Sequence, residues 1–299
     1  MIAEPASART TEPPVPETRT ARLPDGRVIA YVESGDPRGA PVFAMHGLPG
    51  SRLQRYPDES VERAAGLRVI HADRPGFGVS SPQRHRVLAD WPRDVAALAD
   101  SLGLARFAIA GVSGGGPYAA ACAALLGGRI TSAAIVSSVG PPGTMHGRMT
   151  IGARLGFLLA PRASWVMKGP VATIAHLAVQ SPFRYIDLLA LHLAPADRPI
   201  LARADVRAVL AQDMREAFRQ GTAAFVQDLA LVARSWDIPW RRIACSVRLW
   251  HGEDDWLIPP SATRHLVQMI PNARSEMLPR EGHFLVFDRW PEICAWLAR

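Results

Sequence analysis

The chain is predicted to fold as an α/β protein, a mostly parallel central sheet flanked by helices, with a helical segment inserted between two of its strands. Three observations carry this expectation. Short apolar runs recur that end in loops rich in Gly and Pro, and stretches with apolar residues at helical spacing separate them. The run from Phe107 to Val112 passes through Ser113 directly into an alanine-rich helical pattern, which reads as strand, sharp turn and helix. Residues 141–240 then lose the alternation and keep only helical periodicity, far more chain than an ordinary crossover needs.

Taken in order, residues 1–20 are rich in Pro, Thr, Glu and Ala, with too little apolar surface to offset the entropy of ordering, so a disordered tail is expected. The α/β core is assigned to 21–140 and 241–299. The turn signal Pro24-Asp25-Gly26 precedes an alternating strand over 27–34, with a short hairpin partner around 20–23. Residues 41–45 form a compact apolar run suited to a strand buried on both faces, ending in His46-Gly47-Leu48-Pro49-Gly50. A polar helical stretch containing Glu59 and Glu62 leads to a strand over 67–72 and a tight loop, Asp73-Arg74-Pro75-Gly76-Phe77-Gly78. Val95, Leu98 and Leu102 share one helix face, with Asp90 as the candidate cap. After Ser113 come a helix over 118–126 and a strand over 131–138.

Within 141–240, Leu155, Leu158 and Leu159, then Ile186, Leu189, Ala190 and Leu193, recur at helical intervals. Pro161, Pro170, Pro182, Pro195 and Pro199 break the pattern into separate helices, which are expected to form a cap over the sheet rim. Strand and helix return with a strand over 246–252, a helix over 261–269, a strand over 274–278 and a last helix from Pro291.

Composition narrows the function. With 48% apolar residues, 299 residues can fill a substantial core. The charge of +7 comes from 34 basic against 27 acidic residues, but every basic residue except Lys168 is arginine and the charges are interleaved. A nucleic-acid surface would concentrate them in a stripe, so nucleic acid is not expected as a partner. Cys122, Cys245 and Cys294 are odd in number, widely spaced and set among apolar residues, which fits buried free thiols in a reducing compartment. No leader pattern and no apolar run of about 20 residues is visible, so a cytoplasmic protein without membrane association is expected.

The chemistry centres on Gly111-Val112-Ser113-Gly114-Gly115. A serine at the tip of a strand-to-helix turn takes a strained backbone conformation, and only small neighbours two positions away let strand and helix close beneath it. The glycines do not fit the G-x-G-x-x-G spacing of a dinucleotide loop. In a parallel sheet the loops after strands share one edge, so His46, Asp73 and Ser113 should meet on one rim. No H-E-x-x-H or paired-cysteine spacing suggests a metal, and no cofactor is expected. His46, His71, His251 and His265 read as structural, and Trp165, Met167, Met214 and Trp236 as packing residues of the cap.

These motifs, with Gly252-Glu253-Asp254-Asp255 and Gly282-His283-Phe284 following in that order, resemble the α/β-hydrolase family over nearly everything outside tail and cap. The resemblance implies Ser113 as nucleophile, His283 as base and an aspartate as the third member. Asp254 and Asp255 both stand in place. Asp255 is preferred because Asp255-Trp256-Leu257-Ile258-Pro259 is similar to the family's Asp-x-x-Val/Ile-Pro turn. The backbone N–H groups of Leu48 and Gly114 are implied as the oxyanion hole. The expected activity is serine hydrolysis of a carboxylic ester or related acyl substrate with an apolar acyl or alkyl part, rising with pH through about 6 to 7 as the base becomes neutral.

Proline iminopeptidases and carbon–carbon bond hydrolases are also similar, the former needing cap acids such as Asp187, Asp205 or Glu216 to bind a free amine. Epoxide hydrolases and haloalkane dehalogenases place an aspartate where Ser113 stands. A ligand-binding member of the fold without catalysis is the alternative of another class. The sequence leaves substrate and oligomeric state open.

Overall fold

Alternation along the strands decides how the two faces of the sheet are filled, as the computed structural model, which describes residues 14–299, makes explicit. The strands are β1 (Arg19–Arg22), β2 (Val28–Gly35), β3 (Ala40–Met45), β4 (Leu67–Ala72), β5 (Phe107–Val112), β6 (Ile130–Val136), β7 (Ser246–Gly252) and β8 (Ala273–Leu278). They form one sheet in the order β1-β2-β4-β3-β5-β6-β7-β8. β1 and β2 pair antiparallel, as do β2 and β4, and every later pairing is parallel.

Helices α1 (Ser60–Ala64), α2 (Trp91–Ser101), α3 (Gly116–Leu125), α10 (Ser261–Met269) and α11 (Val286–Leu297) flank this sheet. Phe43, Met45, Phe107, Ile109, Ala133 and Ile135 point to the face covered by α2, α3 and α10. Val42, Ala108, Ala110, Ala134 and Val136 point to the face covered by α11 and the partly buried Val61 of α1. The period of two along each strand thus supplies two cores, and strands buried on both faces read as continuous apolar runs.

Between the parallel neighbours β6 and β7 the chain leaves the sheet through α4 (Ile151–Ala163), α5 (Lys168–Gln180), α6 (Pro182–His192), α7 (Asp197–Ala202), α8 (Ala204–Ala217) and α9 (Ala223–Val232). Ile186, Leu193, Ile200, Leu201, Val206 and Leu210 from this segment pack with Phe287 of α11. Ala217 and Ala224 pack with Phe77, and Leu229 and Ala230 with Leu48, so the insertion sits on the loops that leave the strand ends. Towards its end, Val232, Trp236 and Ile238 join the core cluster that includes α2 and α3.

Several boundaries differ from the sequence reading. β1 begins at Arg19, inside the expected tail, because its backbone completes a ladder with Val28–Tyr31. The rest of that tail reading falls on residues 14–18, which carry no regular structure, and on residues 1–13, which lie outside the described residues. Asp90 does not cap α2; its carboxylate accepts from the Val87 N–H at 2.8 Å and closes the preceding turn. Pro92 in the first turn of α2 has no N–H to cap. The last helix starts at Val286 rather than Pro291, since burial of Phe287 and Trp290 favours helix before the proline. Cys122 and Cys294 are buried and free, whereas Cys245 is only half-buried. No helix among the described residues is long and apolar enough to cross a membrane.

Candidate active site

Ser113 stands between β5 and α3 with φ 53°, the left-handed region that costs a residue with a side chain and that the surrounding turn must impose. Gly111 and Gly115 make that turn possible. A Cβ on Gly111 would stand 2.6 Å from the Gly115 carbonyl oxygen, and one on Gly115 would stand 2.2 Å from the Met45 carbonyl oxygen. Strand β5, the start of α3 and the end of β3 are therefore drawn together closely enough to lift the hydroxyl onto the rim.

His283 and Asp255 arrive from the loops after β8 and β7. The His283 Nε2 lies 3.0 Å from the Ser113 Oγ, and its Nδ1 lies 2.7 Å from Asp255 Oδ2. An N–H at Nδ1 donating to the carboxylate leaves Nε2 free to accept the serine proton. The two loops approach through Gly252, where a Cβ would meet the Glu281 carbonyl oxygen at 2.1 Å. Asp255 Oδ1 accepts from the Leu257 and Ile258 N–H groups, each at 2.8 Å. Asp254 is exposed, and its backbone N–H donates to Glu281 O. Of the two adjacent aspartates, Asp255 is the one whose side chain reaches the imidazole.

Electrostatics suit this arrangement. Burial opposes ionisation of Asp255, but the charge of His283 and hydrogen bonds from His251 and His283 outweigh it and hold the carboxyl well below the usual range. Burial likewise opposes a charged His283, yet the charge and hydrogen bond of Asp255 and the charge of Asp197 raise its pKa above the ordinary value. The midpoint therefore moves upward from the range of about 6 to 7 expected of an unperturbed base.

His251 has a larger part than packing. Its Nε2 lies 2.9 Å from Ile258 O and 3.3 Å from Asp255 Oδ2, while Nδ1 pairs with Thr263 Oγ1 at 2.7 Å. It approaches the same carboxylate oxygen that His283 engages and so helps hold it in place. His71 keeps the structural reading, with Nε2 3.2 Å from Ser34 Oγ.

The loop carrying Leu48 is held from below. Burial, then the Arg74 charge, keeps His46 well below the ordinary histidine value, so the ring is neutral. Its Nε2 accepts from the Arg74 N–H at 3.2 Å and its Nδ1 lies 2.9 Å from Gly47 O. Arg74 donates to His46 O and, at 2.9 Å, to Gly47 O. Gln54 Oε1 accepts from the Gly47 N–H at 2.5 Å, and Gln54 donates onward to Asp213 at 3.1 Å. The Leu48 nitrogen lies 3.3 Å from where a Cβ on Gly114 would stand, which makes these two amides neighbours beside Ser113. Asp73 and Arg74, although adjacent in the chain, do not pair with each other. Asp73 pairs with Arg52 at 2.7 Å and Arg74 with Asp228 at 2.7 Å.

A cavity of about 220 Å³ opens onto Ser113 and His283. Leu48, Ile186, Leu189, Leu210, Leu257 and Phe287 give it an apolar wall, with Gln54, Arg55 and His71 as polar positions. Met214 lines it too, so this residue does more than pack, whereas Trp165 is exposed and Trp236 buried in the core. Asp187, Asp205 and Glu216 are absent from the lining and pair with Arg207, Arg203 and Arg52. No group of three or more His, Cys, Asp or Glu among the described residues is arranged to hold a metal.

The acids of the insertion that reach the core are Asp197, Asp213 and Asp228, each fully buried. The sequence reading passed over them. A usable signal was present for two: Asp213 lies between Leu210 and Met214, and Asp228 between Phe225 and Leu229, so each acid sits on the apolar face of its helix.

A parallel sheet with a Ser–His–Asp constellation at its rim and a helical insertion above defines an α/β-fold hydrolase. The chain belongs to the alpha/beta hydrolase family, whose profile matches residues 42–296. It is 30% identical over 200 residues to the dihydrolipoyllysine-residue acetyltransferase component of an acetoin cleaving system from Pseudomonas putida, a match covering 62% of this chain and 53% of that one. The chain thus spans about half the length of the curated relatives it matches. Among solved structures, an alpha/beta hydrolase fold protein from Nakamurella multipartita superposes with TM-score 0.69 at 22% identity, covering 94% of this chain and 99% of that one. An esterase from Rhodococcus sp. superposes with TM-score 0.65 at 21% identity, covering 94% and 98%. At such identities the two structures speak to the fold.

Proposed function

We propose that this protein is a serine hydrolase that cleaves a carboxylic ester, or a related acyl substrate, through an acyl-enzyme on Ser113. One observation carries the reading: Asp255, His283 and Ser113 are joined by contacts of 2.7 and 3.0 Å at the edge of an apolar cavity. As the Ser113 oxygen attacks the acyl carbon, His283 Nε2 takes its proton, and Asp255 stabilises the imidazolium that forms. The imidazolium returns the proton to the leaving alcohol, and water activated by the same imidazole then releases the acid. Negative charge on the carbonyl oxygen falls to the Leu48 and Gly114 N–H groups, each such donor contributing about 3 kcal/mol to the transition state.

The helices of the insertion act as the cap, and their apolar wall receives an acyl or alkyl group of modest size. The pairing of Asp187, Asp205 and Glu216 with arginines leaves no candidate among them to bind a free amine, which favours esters over peptide amines. Three free cysteines suit the cytoplasm. The test is a panel of p-nitrophenyl esters from acetate to decanoate, run beside proline p-nitroanilide and a vinylogous diketone substrate, with fluorophosphonate labelling of wild type and Ser113→Ala. Ester turnover and labelling confined to the wild type are expected. A protein that neither labels nor turns over any ester would overturn the assignment.

A further inference from the structure

Asp197 opens α7 of the insertion, yet its carboxylate is spent on the loop that carries the base. Phe284 N–H donates to Asp197 Oδ1 at 2.8 Å, and the His283 N–H stabilises the same carboxylate. The side chain is fully buried, and Oδ2 has no protein hydrogen-bond partner. The loop is shaped to admit it. A Cβ on Gly282 would stand 2.4 Å from the carboxylate carbon and from both oxygens, so the approach exists only because residue 282 lacks a side chain. A buried carboxylate costs free energy unless something nearby compensates, and the groups that compensate here are two amides of the base loop and the imidazole between them.

Building on the assignment of His283 as the base, we propose that Asp197 is a positioning residue for it: the carboxylate grips the backbone of 283 and 284 so that the ring bridges Asp255 and Ser113, and it supplies a second negative charge beside the imidazolium. The charged and titratable groups facing His283 are then Asp255 from the loop after β7, Ser113 from the turn after β5 and Asp197 from α7, while His251 reaches only Asp255. Burial raises the Asp197 carboxyl above its ordinary value, and the Phe284 amide and the His283 charge pull it back. The partner that ionises during the reaction is thus the one that favours the charged carboxylate. Because Asp197 belongs to the insertion, the base is assembled from both layers of the molecule.

The experiment compares full-length wild type, Asp197→Asn and Asp197→Ala by two readouts: steady-state hydrolysis of p-nitrophenyl butyrate across pH 5 to 9, and NMR titration of the His283 imidazole. Asn keeps an oxygen for the Phe284 N–H but removes the charge. The expected result is a His283 titration displaced to lower pH in Asp197→Asn, and in Asp197→Ala a kcat lowered about 10- to 100-fold with KM changed far less, as misplacement of a reacting group gives. Asp197→Asn should lose less kcat than Asp197→Ala. A His283 titration unmoved in Asp197→Asn, or an Asp197→Ala protein with wild-type kcat, would overturn the proposal. The titration needs no turnover, so it still decides the role of Asp197 should the wild type hydrolyse no ester.

Discussion

Arg74 and Asp228 meet at 2.7 Å with neither side chain exposed, and through this pair helix α9 of the insertion is tied to the loop that carries Leu48. The same Asp228 accepts from Tyr118 Oη at 2.7 Å and pairs with Arg86, while the remaining Arg74 donors reach His46 O and Gly47 O. One carboxylate thus serves as the shared counter-ion of two buried guanidinium groups.

Removing that carboxylate strands both cations. Asp228→Ala is expected to lower stability by about 3 to 5 kcal/mol, the usual consequence of leaving a buried charge without its partner. Urea unfolding followed by tryptophan fluorescence measures it. A loss below about 1 kcal/mol would show that solvent reaches Arg74 and Arg86 readily.

The neighbouring aspartates Asp254 and Asp255 should separate cleanly. Ser113→Ala is expected to lower kcat by roughly 10⁴ to 10⁶ and Asp255→Asn by roughly 10⁴, whereas Asp254→Asn should stay within about twofold. Kinetics on one ester under saturating conditions decides this. Comparable losses at 254 and 255 would contradict the orientation of the loop.

The pH profile follows from the raised pKa of His283. The base works when neutral, so kcat/KM should rise with pH through a midpoint above the ordinary histidine value of about 6.5 and level off beyond it. Initial rates at substrate far below KM, from pH 5 to 9, locate the midpoint. A midpoint below about 6.5 would mean that burial outweighs Asp255 and Asp197.

Glu62 on α1 offers a test of stability alone. It is buried, with Oε1 accepting from Trp290 Nε1 at 2.9 Å, and burial pushes its carboxyl up to about 7. In the unfolded chain it titrates near 4.3, so between those values the native state holds a proton that the unfolded state has lost. Its contribution is therefore present at low pH and is lost as pH rises toward 7. Glu62→Gln keeps an acceptor for Trp290 and should raise stability at pH 8 by on the order of 3 kcal/mol, with little gain at pH 5. Thermal melts at both pH values report it.

The strands and the nucleophile turn were legible in the sequence because their signals are local. Apolar runs closed by glycine and proline mark β3, β4 and β5, and small residues at 111 and 115 mark a serine that must sit on a tight bend. What escaped was long-range pairing. Asp73 beside Arg74 suggests a local ion pair, yet in the fold each finds a partner more than twenty residues away, Arg52 and Asp228. His251, five residues into β7 and next to Gly252, carries no mark in the sequence to distinguish a brace for Asp255 from a core histidine. That difference depends on how the turn over 255–258 folds back. Asp197 was still less visible, since its significance lies in the absence of a side chain at position 282.

Because β6 and β7 are adjacent in the sheet, the polypeptide departs and returns through neighbouring positions, and the excursion could in principle be exchanged for one from another homologue. Such a chimera would have to bring three acids in register. One must meet Arg74, one the Ser51 amide and hydroxyl, and one the backbone beside the imidazole. Such a graft is consequently constrained less by the splice points than by these electrostatic moorings.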